Sequence, residues 1–222
     1  MSSGSSPWLA CSVPLLPWRC RRDLRFANIA NFLAVGDSAA FPSGYGQGRL
    51  AHTSEHELDP GAGHGGDSLW LAANGWTVTA VDVSATALGR MADAVDEAGL
   101  TQRVSMQQHD LTVTFPEGQF DLVTATYFQS PVAMDRPAVL RRSADAITPG
   151  GLLVVIDHAS APSWSTHGAA SFPTAAQTLD EIGLDSRVWH TELCVTRDRE
   201  ATGHNGKTGT LADNVLVLRK DR

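Results

Sequence analysis

A chain of 222 residues, 42% hydrophobic and 18% charged, has ordinary globular composition and enough length for one substantial core. No apolar run approaches the roughly eighteen residues of a membrane span, so no membrane partner is expected, and the net charge of −7 makes a poor nucleic-acid surface. Cys11, Cys20 and Cys194 form neither a CxxC pair nor an even framework, which argues against a disulfide scaffold or a cysteine zinc site and for a reducing, cytoplasmic setting.

The first fifty residues hold a basic excess, with Arg19, Arg21, Arg22, Arg25 and Arg49 against Asp23 and Asp37. Apart from a short helical pattern in "ANIANFLAV" (27–35), residues 1–56 are Ser, Pro, Arg and Gly without an amphipathic period. They are predicted to be a divergent, poorly ordered N-terminal segment, distinct from a domain over 57–222. At the junction, "TSEHELDPG" (53–61) offers only Leu58 to a core and Pro60 lacks a backbone donor, so the pattern supports a first strand only weakly.

"GAGHGG" (61–66) follows, and it satisfies two templates. Gly61, Gly63 and Gly66 spell GxGxxG; Gly61, Gly63 and Gly65 spell GxGxG. In both, glycines let a tight turn leave a strand while the next helix N-terminus faces an anionic group. One template serves a nicotinamide or flavin dinucleotide, the other S-adenosylmethionine.

Beyond the turn the hydrophobic period alternates. A helix over 67–74 closed by Gly75 precedes the β-branched strand "WTVTAVDV" (76–83), and Ser84 caps a helix with Leu88, Met91, Ala92 and Val95 on one face. "RVSMQQ" (103–108) is a weaker strand and "QFDLVTATYF" (119–128) a strong one. Asp135 and Pro137 open a helix carrying Leu140, Ala144 and Ile147. "LLVVID" (152–157) is an apolar run of the kind buried on both faces of a parallel sheet. A helix near 174–183 then precedes two strands, 186–200 and 209–220, whose short Gly-rich link requires antiparallel pairing. The predicted fold is α/β: a Rossmann-like doubly wound sheet, mostly parallel, with an antiparallel C-terminal strand pair. Asp82 closes the second strand, where a carboxylate accepts from both hydroxyls of a ribose under either template.

"HDLT" (109–112), "FDLVTA" (120–125) and "PGG" (149–151), in that order after the glycine turn, resemble the class I S-adenosylmethionine-dependent methyltransferases, as does the antiparallel final pair. Residues 58–88 are especially similar to small bacterial methyltransferase-domain proteins related to the tellurite-resistance and thiopurine methyltransferase group, and the resemblance covers 57–220. It implies S-adenosylmethionine as cofactor, with Asp59, Gly61, Ala62 and Gly63 lining its methionine end. Asp82 would hold the ribose, Val83 would lie against the adenine, Asp110 would accept from the adenine amino group with Leu111 beside it, and Thr126 would sit near the sulfonium. "TYFQSP" (126–131) replaces the Asn/Asp-Pro-Pro-Tyr/Phe signature of amino methyltransferases, which leaves a small-molecule acceptor at oxygen, sulfur, nitrogen or a metalloid. His158 after the fifth strand and Tyr127 after the fourth are the candidate catalytic residues. His52, His56, His64 and His109 show no ligand spacing, so no metal is predicted. An NAD(P)-binding Rossmann oxidoreductase and an inactive cofactor-binding remnant stay open as alternatives.

Overall fold

The computed structural model describes residues 55–129, 134–161, 172–202, 206 and 208–221. The expectations for the N-terminal segment, up to residue 54, lie outside the described residues. Seven strands form one sheet in the order β3-β2-β1-β4-β5-β7-β6. They are β1 (His56–Pro60), β2 (Thr77–Asp82), β3 (Val104–Gln108), β4 (Phe120–Thr126), β5 (Ile147–His158), β6 (Trp189–Thr202) and β7 (Thr208–Lys220). All neighbours from β3 to β5 pair parallel, while β7 pairs antiparallel with both β5 and β6.

Among the described residues four helices connect them: α1 (Gly66–Ala73), α2 (Ala85–Glu97), α3 (Arg136–Asp145) and α4 (Ala175–Ile182). The starts of α2, α3 and α4 follow cap signals in the sequence, while α1 begins at the left-handed Gly65. Ser84 Oγ accepts from the Ala87 amide, Asp135 from Ala138, and Thr174 and Gln177 form a reciprocal capping box. Leu69 and Leu71 of α1 and Met91 and Val95 of α2 bury one sheet face against Val78, Ala80, Val154 and Val217. Val139 and Leu140 of α3 and Ile182 of α4 bury the other against Leu58, Val123, Val155 and Leu216. The apolar run in β5 divides between the two layers, Leu152, Val154 and Ile156 to one and Leu153 and Val155 to the other. Ile147, expected on the α3 face, instead opens β5, because α3 ends at Asp145.

The first strand is fully formed and central, which corrects the weak support read from its composition. Leu58 alone enters the apolar core. On the opposite side of the strand Glu57 and Asp59 are buried, at 0% and 2% exposure, where an apolar pair would be ordinary. Thr124 Oγ1 of β4 donates to Glu57 at 2.6 Å, and Ser68 Oγ of α1 donates to Asp59 at 2.6 Å. Pro60 is tolerated because of strand alternation. Gly61 N–H donates to the Val81 carbonyl of β2 and His56 N–H to the Asp121 carboxylate of β4, so the Pro60 nitrogen faces β4. Pairing with β4 has already ended at Leu58↔Val123, and no ladder bond is lost.

After β3 the chain returns to the far side of β1, so strand order reverses between β1 and β4. In open α/β sheets the crevice beyond the carboxyl ends of the strands at such a reversal is where ligands bind. Gly151, inside β5, fixes the spacing behind that edge. A Cβ there would stand 2.8 Å from the Asp121 carbonyl oxygen and 3.0 Å from that of Thr148, both backbone atoms. Gly151→Ala is therefore expected to lower stability by about 1–3 kcal/mol; a urea transition at the wild-type midpoint would show that the backbone yields freely.

Candidate functional site

The glycine turn leaves β1 at the reversal point. Gly61 and Ala62 N–H both donate to the Val81 carbonyl, at 2.8 and 2.9 Å, folding the turn back onto β2. Gly61 has φ +78°, and the Phe128 ring lies where its side chain would be, with a ring carbon 2.6 Å from an ideal Cβ. Gly63 (φ +56°) has open space instead: the nearest atom to an ideal Cβ is the Gly61 carbonyl oxygen at 3.9 Å. A ligand can therefore approach the backbone here without meeting a side chain, which is the fit that a bound nucleotide cofactor requires.

Asp82 ends β2 beside this turn, as expected. One carboxylate oxygen accepts from Gly63 N–H at 2.9 Å and the other from Ser84 N–H at 2.8 Å. Each oxygen retains a lone pair, so the carboxylate fixes the turn and still has capacity for two hydroxyl donors. Val83 follows as an exposed apolar side chain, 64% accessible, and its carbonyl accepts from Gln108 Nε2 at 3.0 Å. Asp110 is exposed across from it. Its Oδ1 accepts from the Thr112 hydroxyl at 2.6 Å and the Thr112 amide at 3.0 Å, which hold the carboxyl below its ordinary range. Leu111 is 6% exposed and packs into the α3-side core, so it offers little surface next to Asp110.

Beneath the turn lie buried acids. Asp59 is pushed up to about 7, by burial first and then by the charge of Asp67. Glu57 is raised well above the usual carboxylate range, again by burial first and then by Asp59, and its Oε2 is buried with no hydrogen-bond partner among the described residues. Asp67, in the first turn of α1, accepts from Thr126 Oγ1 at the tip of β4. Thr126 is thereby tied to the helix that follows the glycine turn.

The two candidate catalytic residues, Tyr127 just after β4 and His158 at the end of β5, come together. The His158 ring stacks on Tyr127 with centroids 4.2 Å apart at 26°. Both reach a residue missed in the sequence, Asp213 of β7, which is 6% exposed. Tyr127 Oη donates to its Oδ2 at 2.8 Å and His158 Nδ1 lies 3.2 Å from Oδ1. Arg199 of β6, also missed, pairs through Nε with the same Oδ2 and places Nη2 3.3 Å from the Tyr127 hydroxyl. The available signal was "ADN" (212–214), a polar break in the otherwise apolar β7. Burial, then the Asp213 carboxylate, push the Tyr127 phenol above its ordinary value, so it keeps its proton and acts as a donor. Below the pair, Arg136 makes two 2.7 Å bonds to the buried Asp157 carboxylate and a third, from Nε, to the Phe128 carbonyl. This clamps the ends of β4 and β5 together. Among the described residues no group of three or more His, Cys, Asp or Glu side chains is arranged to hold a metal ion.

The raised Asp59 has a stability consequence. A carboxyl that binds its proton more tightly in the folded state contributes stability that is present below the ordinary carboxylate value and is lost as pH rises through about 7. Asp59→Asn, which cannot ionise, is therefore expected to gain stability relative to wild type between pH 5 and pH 8, on the order of 1–3 kcal/mol. Urea unfolding of the cofactor-free protein across that range measures it, and parallel pH curves would mean that Asp59 ionises normally.

The chain is similar to known methyltransferases in sequence and in fold. Residues 58–151 match the methyltransferase domain family. Methyltransferase GfsG of Streptomyces halstedii is 35% identical over 113 residues, covering 49% of this chain and 40% of that protein. The 27-O-demethylrifamycin SV methyltransferase of Amycolatopsis mediterranei is 30% identical over 128 residues, covering 57% and 45%. The chain thus spans less than half the length of the two curated relatives it matches. A solved S-adenosylmethionine-dependent methyltransferase of Methanosarcina mazei superposes with a TM-score of 0.58 at 18% identity, over 78% of this chain and 95% of that one. Residues 58–151 are thus similar to the methyltransferase domain family, and the sheet has the fold of the solved S-adenosylmethionine-dependent methyltransferase.

Proposed function

We propose that this domain, residues 57–222, binds S-adenosylmethionine at the β1/β4 reversal and transfers its methyl group to a hydroxyl of a small-molecule acceptor. The observation that carries the reading is the bare turn at Gly61–Gly63 tied to the Asp82 carboxylate at the edge where strand order reverses. The name of the rifamycin relative, which specifies an O-demethylated small molecule, supports an oxygen acceptor.

In this reading Asp59, Gly61, Ala62 and Gly63 line the methionine end, and the ribose hydroxyls donate to the free lone pairs of Asp82. Val83 covers one face of the adenine, and Asp110, kept ionised by Thr112, accepts from the adenine amino group, with Leu111 packed behind it. Thr126 holds the tip of β4 against α1 near the sulfonium. The bound cofactor supplies a methyl group already activated on a positively charged sulfur. The protein's task is to hold an acceptor in line with it and to remove the acceptor's proton. His158 is the base in this assignment, and Tyr127, whose hydroxyl is committed to Asp213, forms the wall against which the imidazole stacks.

Parallel calorimetry with S-adenosylmethionine, S-adenosylhomocysteine, NAD and NADP tests the cofactor. The two sulfur nucleosides are expected to bind, and binding of a nicotinamide dinucleotide in their place would overturn the assignment. Asp82→Ala should weaken S-adenosylmethionine by about 1–3 kcal/mol, the range for lost hydrogen bonds to a charged group. Unchanged affinity in the folded variant would remove Asp82 from the ribose. Asp110→Ala should weaken S-adenosylmethionine and adenosine alike, since both present the same amino group; a loss confined to the full cofactor would place Asp110 elsewhere.

A further inference from the structure

The antiparallel end of the sheet does more than close it. Because β7 runs opposite to β5, its early residues arrive at the edge where the parallel strands finish, and Asp213 stands in register with His158. Asp213 also lies opposite Arg197, so Arg199, two residues farther along β6, reaches it diagonally on the same face. Tyr127 is the one non-glycine described residue with positive φ, at 48°, a conformation that costs on the order of 1–3 kcal/mol unless its surroundings hold it. Here its hydroxyl bond to Asp213 and its ring contact with His158 provide the restraint.

We propose that Asp213 is a positioning residue that takes the Nδ1–H of His158 and so presents Nε2 as the base for a hydroxyl acceptor, with Arg199 and Tyr127 fixing the carboxylate. This rests on the methyltransferase reading above. The geometry consumes one ring nitrogen and leaves the other: among the described residues Nε2 has no hydrogen-bond partner, and 40% of the side chain is exposed. Phe172 meets the ring edge-on, with centroids 6.5 Å apart at 81°, so the imidazole is restrained by contacts from both Tyr127 and Phe172. The ionisable groups around it are Asp213 with Arg199 from the β6/β7 pair, Tyr127 from the segment after β4, and Asp157 of β5 with its Arg136 partner from α3. Burial acts against ionisation of Asp213, but the bonds from His158, Arg199 and Tyr127 outweigh it and hold the carboxyl below its ordinary range, so it remains an acceptor for Nδ1–H.

In the transfer step the acceptor O–H bond breaks with its proton passing to Nε2. The oxygen forms its bond to the methyl carbon as the carbon–sulfur bond breaks, and that electron pair stays on sulfur. The positive charge leaves the sulfonium and appears on the imidazolium, 3.2 Å from a carboxylate that stabilises it. A thiol, which ionises more readily, would need this base less.

The test is histidine ¹⁵N NMR on the full chain, with the His158 signal assigned by its loss in His158→Gln. In wild type the neutral ring should carry its proton on Nδ1. Asp213→Asn, whose amide can donate to Nδ1, should move the proton to Nε2, while Tyr127→Phe should leave it on Nδ1. Methyl transfer to 27-O-demethylrifamycin SV and to a panel of phenols and aliphatic alcohols is followed alongside. Asp213→Asn should lower kcat by about 10²–10⁴-fold with KM for S-adenosylmethionine unchanged. A wild-type ring protonated on Nε2, an unmoved proton in Asp213→Asn, or hydroxyl methylation undiminished by that substitution would each overturn the proposal. Absence of S-adenosylmethionine binding would instead defeat the reading it rests on, which the ring tautomer reports on separately.

Discussion

The hydrogen bond from Thr124 of β4 to Glu57 of β1 and its companion from Ser68 of α1 to Asp59 let two carboxyl groups occupy the interior of a central strand. Buried carboxyls without donors would cost several kcal/mol each. With them, β1 can run between β2 and β4, and its end can carry a backbone stripped of side chains. The glycine turn, the tether to Asp82 and the reversal of strand order all follow from β1 being where it is. The raised proton affinity of the same acids is the electrostatic counterpart of that packing.

The site has two halves built by different means. Around the glycine turn, parallel strands and helix starts present backbone groups and short polar side chains, and the geometry follows from local turn chemistry. On the other side, His158, Asp213 and Arg199 from three strands and Tyr127 from the segment just after β4 meet through side-chain contacts across the sheet edge. Arg136 joins the halves. Its bonds to Asp157 and to the Phe128 carbonyl hold the segment after β4, whose ring covers Gly61 on one side while Tyr127 contacts His158 on the other.

Legibility in the sequence followed this division. Three of the helices were readable because they carry their own signals: Ser84, Asp135 and Thr174 cap by bonding amides three residues on, and Gly183 ends α4 in the left-handed region. The strands of the apolar core were readable from β-branched runs, and Asp82 and the glycine turn from their spacing. β1 was not, because its acids are tolerated by partners on other elements, Thr124 being 67 residues away. Asp213 and Arg199 were hidden for the same reason. An Asp in an apolar strand looks like a local flaw until the β5/β7 register places it opposite His158. Ile147 was misplaced by a helical period that continued two residues beyond the point where the helix itself ends.

The sheet order also sets the stretch matched by the family apart from the polar cluster around His158. The stretch shared with the methyltransferase domain family closes at residue 151, before β5 reaches its tip. His158, Arg199 and Asp213 all lie beyond it, on strands whose side chains make no bond to the glycine turn or to Asp82 among the described contacts. The terminal hairpin is held to β5 by its backbone register, so the polar residues it carries are set independently of the bonds that shape the turn. Changing the polar groups that the hairpin presents at the edge of β5 would alter the surroundings of His158 while leaving every bond that shapes the glycine turn in place.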